Sequence, residues 1–223
     1  MFFRRVKKKS RRLFLLLLVC LVLWCWYRWQ TKYVPSRMPA MQTVNAVQTD
    51  NTVCAVTLSV TGIESRASLE LLASVCKGMQ VRPCIFVSTD WLYDNPELLP
   101  SLSFADLGLL YERPPSKWTK KQTMLSVASQ NERFMAMTGM FPHYVRFAKG
   151  EPDGFVSDAL QSYGQICIGF EAMLADALSA GNIIDLGLLD GTTAYSLAEF
   201  YASAVAGGYA VLPLPQLLNA TNA

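Results

Sequence analysis

One histidine, His143, stands in this chain of 223 residues, and that scarcity narrows the chemistry open to the rest. Metal-assisted hydrolysis needs converging His and carboxylate ligands. A single imidazole beside Pro142, just ahead of an apolar run, reads as an ordinary surface or core histidine. A Ser-His-Asp arrangement could be written from Ser59, His143 and some acid. However, Ser59 ends an apolar run without a nucleophile-elbow motif, and His143 precedes its own run, so the two fall at opposite ends of parallel strands. Paired carboxylates for glycoside hydrolysis could come from Asp153, Glu171, Asp185 and Asp190. Acids in loops are usually solvated, and nothing in the sequence sets the separation of these four. Of the six cysteines, Cys54, Cys84 and Cys167 sit in predicted interior strands and Cys76 near a helix end. Without a C-x-x-C spacing they read as buried free thiols, and an exported domain would make Cys54 with Cys84 the first pair to examine for a disulfide. No Gly-rich phosphate loop is present.

The elements that must position these residues alternate. Cys54 to Gly62 is a β-branched, mostly apolar run ending at a glycine, the pattern of a strand buried on both faces. Ser65 to Lys77 carries Leu69, Leu72, Ala73 and Cys76 at helical spacing, with Gly78 where a C-cap would fall, and Cys84 to Val87 is a second apolar run. Strand, helix, strand makes a parallel unit with a right-handed crossover, which directs attention to Ser59–Gly62 at the strand's C-terminal end. Asp106 to Leu110 reads as a third strand, and Lys120 to Thr138 as a helix capped by Thr119 and ended by Gly139. Beyond it come helices over 155–163, 172–180 and 193–206, strands over 165–169, 182–189 and 209–212, and a closing helical turn over 215–218.

The segment Thr57-Leu58-Ser59-Val60-Thr61-Gly62 resembles the first motif of the polysaccharide deacetylases with a NodB homology domain, T-F-D-D-G in active members. The resemblance continues through "RASLELLASVCKGMQVRPCIFVSTDWLYDNPELL", through Phe141–Gly150 against the family's strand end "lFRPPYG", through "GNIIDLGLLDG" and "GGYAVLPLPQLL", and so covers about Val53 to Leu218. It implies an α/β fold, a distorted (β/α) barrel of the NodB type. It also implies a degenerate site. Ser59 and Val60 stand where active members have the catalytic base and a metal-binding Asp, Leu110 and Pro114 where they have the two metal-binding histidines, and Gly187 at the catalytic-acid histidine. None of these side chains does that chemistry, so no metal cofactor is expected. Arg146 matches the arginine that orients the catalytic aspartate in active members, and with that aspartate gone a carboxylate such as Glu171 or Asp153 is its expected partner. The alignment sets Arg146, Trp91, Tyr111, Trp118 and Glu171 near the groove mouth as contacts for a sugar or protein, with rim packing the competing role for the two tryptophans.

The net charge of +3 conceals an asymmetry. Residues 1–12 hold seven of the 20 Lys and Arg and no acid, leaving 13 bases against 17 acids, so nothing suggests a nucleic-acid surface. Leu13 to Tyr27 is an uninterrupted apolar run of roughly 22 Å as a helix, short of the ~30 Å hydrocarbon core unless flanking Arg and Lys snorkel. Trp24, Trp26, Tyr27 and Trp29 suit an interfacial belt, and no small-residue cleavage site follows. The expectation is a basic cytoplasmic tail (1–12), an uncleaved transmembrane helix (13–29), a linker (30–51) and an extracytoplasmic deacetylase-like domain (52–218), with a short tail (219–223). A cleaved signal peptide is the competing reading. Function is then expected to be that of a membrane-anchored pseudoenzyme gripping a cell-wall glycan or contacting an envelope protein. The alternative is an active carbohydrate deacetylase or hydrolase with relocated catalytic residues.

Overall fold

The computed structural model describes residues 43–60, 66–112, 119–170, 172–173 and 178–220. Its centre is β1 (Val53–Val60), buried along nearly its whole length. Around it are α1 (Arg66–Met79), β2 (Cys84–Val87), α2 (Thr89–Asp94), a 3-10 helix (Pro96–Leu102) and β3 (Asp106–Tyr111). Then follow α3 (Lys120–Thr138), β4 (Tyr144–Phe147), α4 (Gly154–Ser162), β5 (Ile166–Cys167), β6 (Ala172–Met173), β7 (Ile183–Leu188), α5 (Thr193–Ala206), β8 (Ala210–Val211) and α6 (Leu214–Leu218). The strands pair in the order β5-β4-β3-β2-β1-β7-β6, with β8 beside the start of β1, and every pairing is parallel. This is an open, parallel-strand barrel wrapped by helices.

Strand periodicity divides the core in two. Cys54, Val56, Leu58 and Val60 of β1, with Ile85, Leu109 and Val145, pack outward against Leu69, Val127, Leu160 and Leu197 of the helices. Ala55, Cys84, Phe86, Leu110 and Ile183 turn inward, and α6 closes the end of the barrel where the strands begin, with Leu214 and Leu217 fully buried.

Local chemistry accounts for most boundaries. Thr119 and Gln122 form a reciprocal capping box at the start of α3, and Gly139 ends that helix in the left-handed conformation, φ 71°. Asp153 caps α4 by accepting from the amides of Phe155 and Val156. At the end of α1 the expected cap at Gly78 is displaced: the helix runs to Met79, and Gln80 takes the left-handed turn at φ 57° while the Val81 amide donates back to Cys76. A side chain with a Cβ is strained there by about 1 kcal/mol. Gln80→Gly is therefore expected to stabilise the domain by roughly 0.5–1 kcal/mol, read as a rise in the denaturation midpoint at unchanged m-value.

Three expectations are corrected. Residues 43–47, assigned to the linker, belong to the barrel: Val44 bridges to Ile168 and Ala46 to Asn182, so this segment spans from the end of β5 to the start of β7. The expected helix over 172–180 begins instead as β6, where Ala172 and Met173 pair with Ile184 and Asp185. The free edge of β7 offers that stretch a ladder of hydrogen bonds, and sheet pairing overrides its helical spacing. Cys54 and Cys84 cannot form a disulfide. The register sets Cys84 opposite Thr57, so Cys54 lies three positions away, roughly 10 Å, and on the opposite face of the sheet. The cysteines 54, 76, 84 and 167 are all buried free thiols. The apolar run 13–29 lies outside the described residues, among which no helix is long and apolar enough to cross a membrane.

Candidate functional site

Strand alternation aims Thr57 and Ser59 of β1, Phe86 of β2, Leu110 of β3, Arg146 of β4 and Asp185 of β7 into the barrel, toward the C-terminal ends of the strands. Arg146 is the centre of this group and only 3% exposed. Its Nη1 donates to Asp185 Oδ1 at 3.0 Å and its Nη2 to Thr57 Oγ1 at 2.7 Å and to the Gly169 carbonyl at 3.0 Å. Its Nε donates to the Ile168 carbonyl at 3.3 Å. The Thr57 hydroxyl in turn donates to the Ile184 carbonyl at 2.9 Å. The guanidinium carbon lies 4.3 Å from the centroid of the Phe86 ring and 5.7 Å from that of Phe170. Gly108 makes room for the ring, since a Cβ there would come within 2.5 Å of it.

The partner of Arg146 is thus Asp185, in place of the expected Asp153 or Glu171. Asp153 is committed to the cap of α4, and Glu171 lies outside the described residues. Burial holds the Asp185 carboxyl above its usual range, against the pull of Arg146 and of a hydrogen bond from the Gly187 amide. Burial likewise lowers Arg146, against the pull of Asp185. Both shifts have the same leading cause, the removal of the charged groups from water.

The other residues singled out from the sequence lie in different settings. Ser59 lies beside the Arg146–Asp185 pair on the same face of β1, whereas Val60 points the other way, into the core under the helices. Leu110 is buried in the interior cluster. Gly187 occupies a bulge: Thr57 pairs with Asp185 and Ser59 with Leu188, so β7 carries one residue more than β1 there, and φ 80° at Gly187 absorbs it. Of the expected groove contacts, Trp91 is 6% exposed and packs under the helices, because its position in α2 turns inward. Tyr111 is turned outward from the barrel by strand alternation, stacked on Phe147 at 5.1 Å, with its hydroxyl buried and without a hydrogen-bond partner among the described residues. Arg146 is enclosed. None of the three is presented to a ligand in this structure. Pro114 and Trp118 lie outside the described residues.

Of the acids considered for glycoside hydrolysis, the three that are described are occupied: Asp153 caps α4 and Asp185 pairs with Arg146. Asp190 accepts from the Thr192 and Thr193 amides and hydroxyls at the start of α5, contacts that lower its pKa. His143 is exposed, edge-on to Phe141 at 5.2 Å, and precedes β4, at the opposite end of the barrel from Ser59. Among the described residues no three His, Cys, Asp or Glu converge in a way that could hold a metal ion. Among the described residues, the donors near the pair are hydroxyl, carbonyl and one carboxylate already engaged by a guanidinium, a set that by itself does not fit the divalent metal of a deacetylase.

Sequence reasoning found Arg146 but missed Thr57 and Phe86. Their signal was present, since Thr57 sits two residues before Ser59 on the same strand face and Phe86 is the inward residue nearest the C-terminal end of β2. Only the register brings them within reach of Arg146.

No protein-family model and no curated protein matches the chain. Solved structures do. A family 4 carbohydrate esterase from Bacillus anthracis superposes with a TM-score of 0.70 at 16% identity, over 83% of this chain and 91% of that one. A CE4 family pseudoenzyme from the same organism gives 0.70 at 12% identity, over 82% and 71%. PdaA of Bacillus subtilis, also a family 4 carbohydrate esterase, gives 0.66 at 17%, over 82% and 88%. Over 82–83% of its length this chain has the fold of the family 4 carbohydrate esterases, the polysaccharide deacetylase fold.

Proposed function

We propose that this chain is a pseudoenzyme of the deacetylase fold, held at the outer face of a membrane by residues 13–29 and binding a cell-wall glycan or an envelope protein. The observation that carries the reading is the state of the barrel interior. Where hydrolysis would need a free carboxylate and metal ligands, the buried ionic groups among the described residues there, Arg146 and Asp185, are bonded to each other and to the strands, beside Ser59 and Leu110. A CE4 family pseudoenzyme among the structural neighbours, one mutant of which is described as having restored enzymatic activity, makes a non-catalytic member of this fold a known kind of protein. Fold alone does not carry the activity.

The test is metal content and turnover of the purified full chain. After loading with zinc, cobalt and nickel, elemental analysis is expected to find no stoichiometric metal, and incubation with an acetylated aminosugar polymer no acetate above a buffer control. Co-sedimentation with insoluble wall glycan then separates a glycan ligand from a protein one. One equivalent of metal together with acetate release would overturn the reading in favour of relocated catalysis.

A further inference from the structure

The segment Thr43–Val47 is held to the barrel by main-chain hydrogen bonds at three points. The Val44 amide donates to the Cys167 carbonyl at 2.8 Å, the Gly169 amide to the Val44 carbonyl at 3.0 Å, and the Val47 amide to the Gly181 carbonyl at 2.9 Å. The Thr43 hydroxyl adds a contact of 3.6 Å to Cys167 Sγ. Two glycines make the seat. A Cβ on Gly169 would collide with the Asn45 side chain, and one on Gly181 with the Val47 carbonyl, so both positions are shaped to this occupant. The stretch it covers is the one that cages the buried cation, because Ile168 and Gly169 supply the carbonyls that accept from Arg146.

The seat is specific, yet its hold is slight. The segment makes one isolated bridge on each side, with no ladder, and Val47 alone of its five residues is buried. A segment with so little buried apolar surface opens at a free energy below that of the whole domain. We propose that Thr43–Val47 is a releasable strap whose opening uncovers the β5 side of the barrel interior, and with it the Arg146–Asp185 pair, while the strands stay folded. In chain order the strap stands between the apolar run 13–29 and the barrel, so a partner or constraint acting on the upstream chain reaches the cage of Arg146 through these five residues.

Hydrogen exchange on the full chain, read by mass spectrometry, compares the peptide spanning 166–170 with that spanning β1. The first is expected to exchange at least about tenfold faster than the second. Val44→Pro removes the amide that bonds Cys167 and is expected to accelerate 166–170 about tenfold further at an unchanged β1 rate. The same variant should raise modification of Arg146 by phenylglyoxal by a similar factor. An equal acceleration of both peptides would mean that the strap opens only with global unfolding, and no acceleration of 166–170 would mean that it does not hold that stretch. Either result overturns the proposal, as does an unchanged Arg146 rate in a variant whose 166–170 peptide has accelerated.

Discussion

Asp185→Ala is expected to cost about 3–5 kcal/mol of folding stability, measured by chemical denaturation. Arg146 would be left in the barrel with two carbonyls and a hydroxyl but no countercharge, and at 3% exposure it has no route to water that avoids rearranging the strands. A domain of this size is stable by about 5–15 kcal/mol, so the loss is a large part of the total. The intact pair, by contrast, is weak ground for stability, because the desolvation of two buried charges offsets their attraction. Burial shifts both partners toward their neutral forms, Asp185 upward and Arg146 downward. Removing both charges, as in Arg146→Met with Asp185→Leu, should therefore restore most of what the single change takes away, less about 1 kcal/mol for each carbonyl or hydroxyl left unpartnered. If Asp185→Ala denatures at the same concentration as the parent, the pair is not enclosed and this account of the interior fails.

Phe86→Ala is expected to be nearly as damaging, at about 3–5 kcal/mol. The ring is fully buried, among the largest side chains in the core, and lies directly against the Arg146 guanidinium at 4.3 Å. Its loss combines a cavity with a desolvated cation that has lost its apolar floor. The neighbouring glycine supplies an internal control. Gly108→Ala alone places a Cβ 2.5 Å from the ring, overpacking that costs about 1–3 kcal/mol, but in the Phe86→Leu background the clash has less to meet. The double-mutant cycle should show the pair less destabilised than the sum of the two single changes. Strict additivity would place the ring and the glycine out of contact.

Several elements were legible before any coordinates. The ends of α3 follow from Thr119 and Gly139, because caps act within a few residues. β1 and β2 were legible because a strand buried on both faces needs an unbroken apolar run. Where the reading went astray, the deciding contact was distant in sequence. Residues 43–47 are polar and aperiodic, with nothing local to mark them as structure until Ile168 and Asn182 pair with them. Ala172 and Met173 were drawn into a strand by β7. At Gln80, a residue stands in a conformation glycine would occupy more cheaply, and Gly78 two positions earlier drew the helix end toward itself.

The sequence by itself determined the alternating α/β order, the likeness to the deacetylases, and the residue types at the positions which that likeness sets against the catalytic ones, where Ser59, Val60, Leu110 and Gly187 have no carboxylate or imidazole to offer. Those are properties of single positions and short spacings, and they need no partner to be read. The tertiary structure alone decided what the polar residues do instead. The register that sets Thr57 beside Asp185, and β4 two strands beyond β2, brings an arginine, an aspartate, a threonine and a phenylalanine from four strands to one point. Asp185 and Arg146 are 39 residues apart and Thr57 and Arg146 are 89 apart. An electrostatic pair at that separation is created by strand order and burial, which no local pattern encodes.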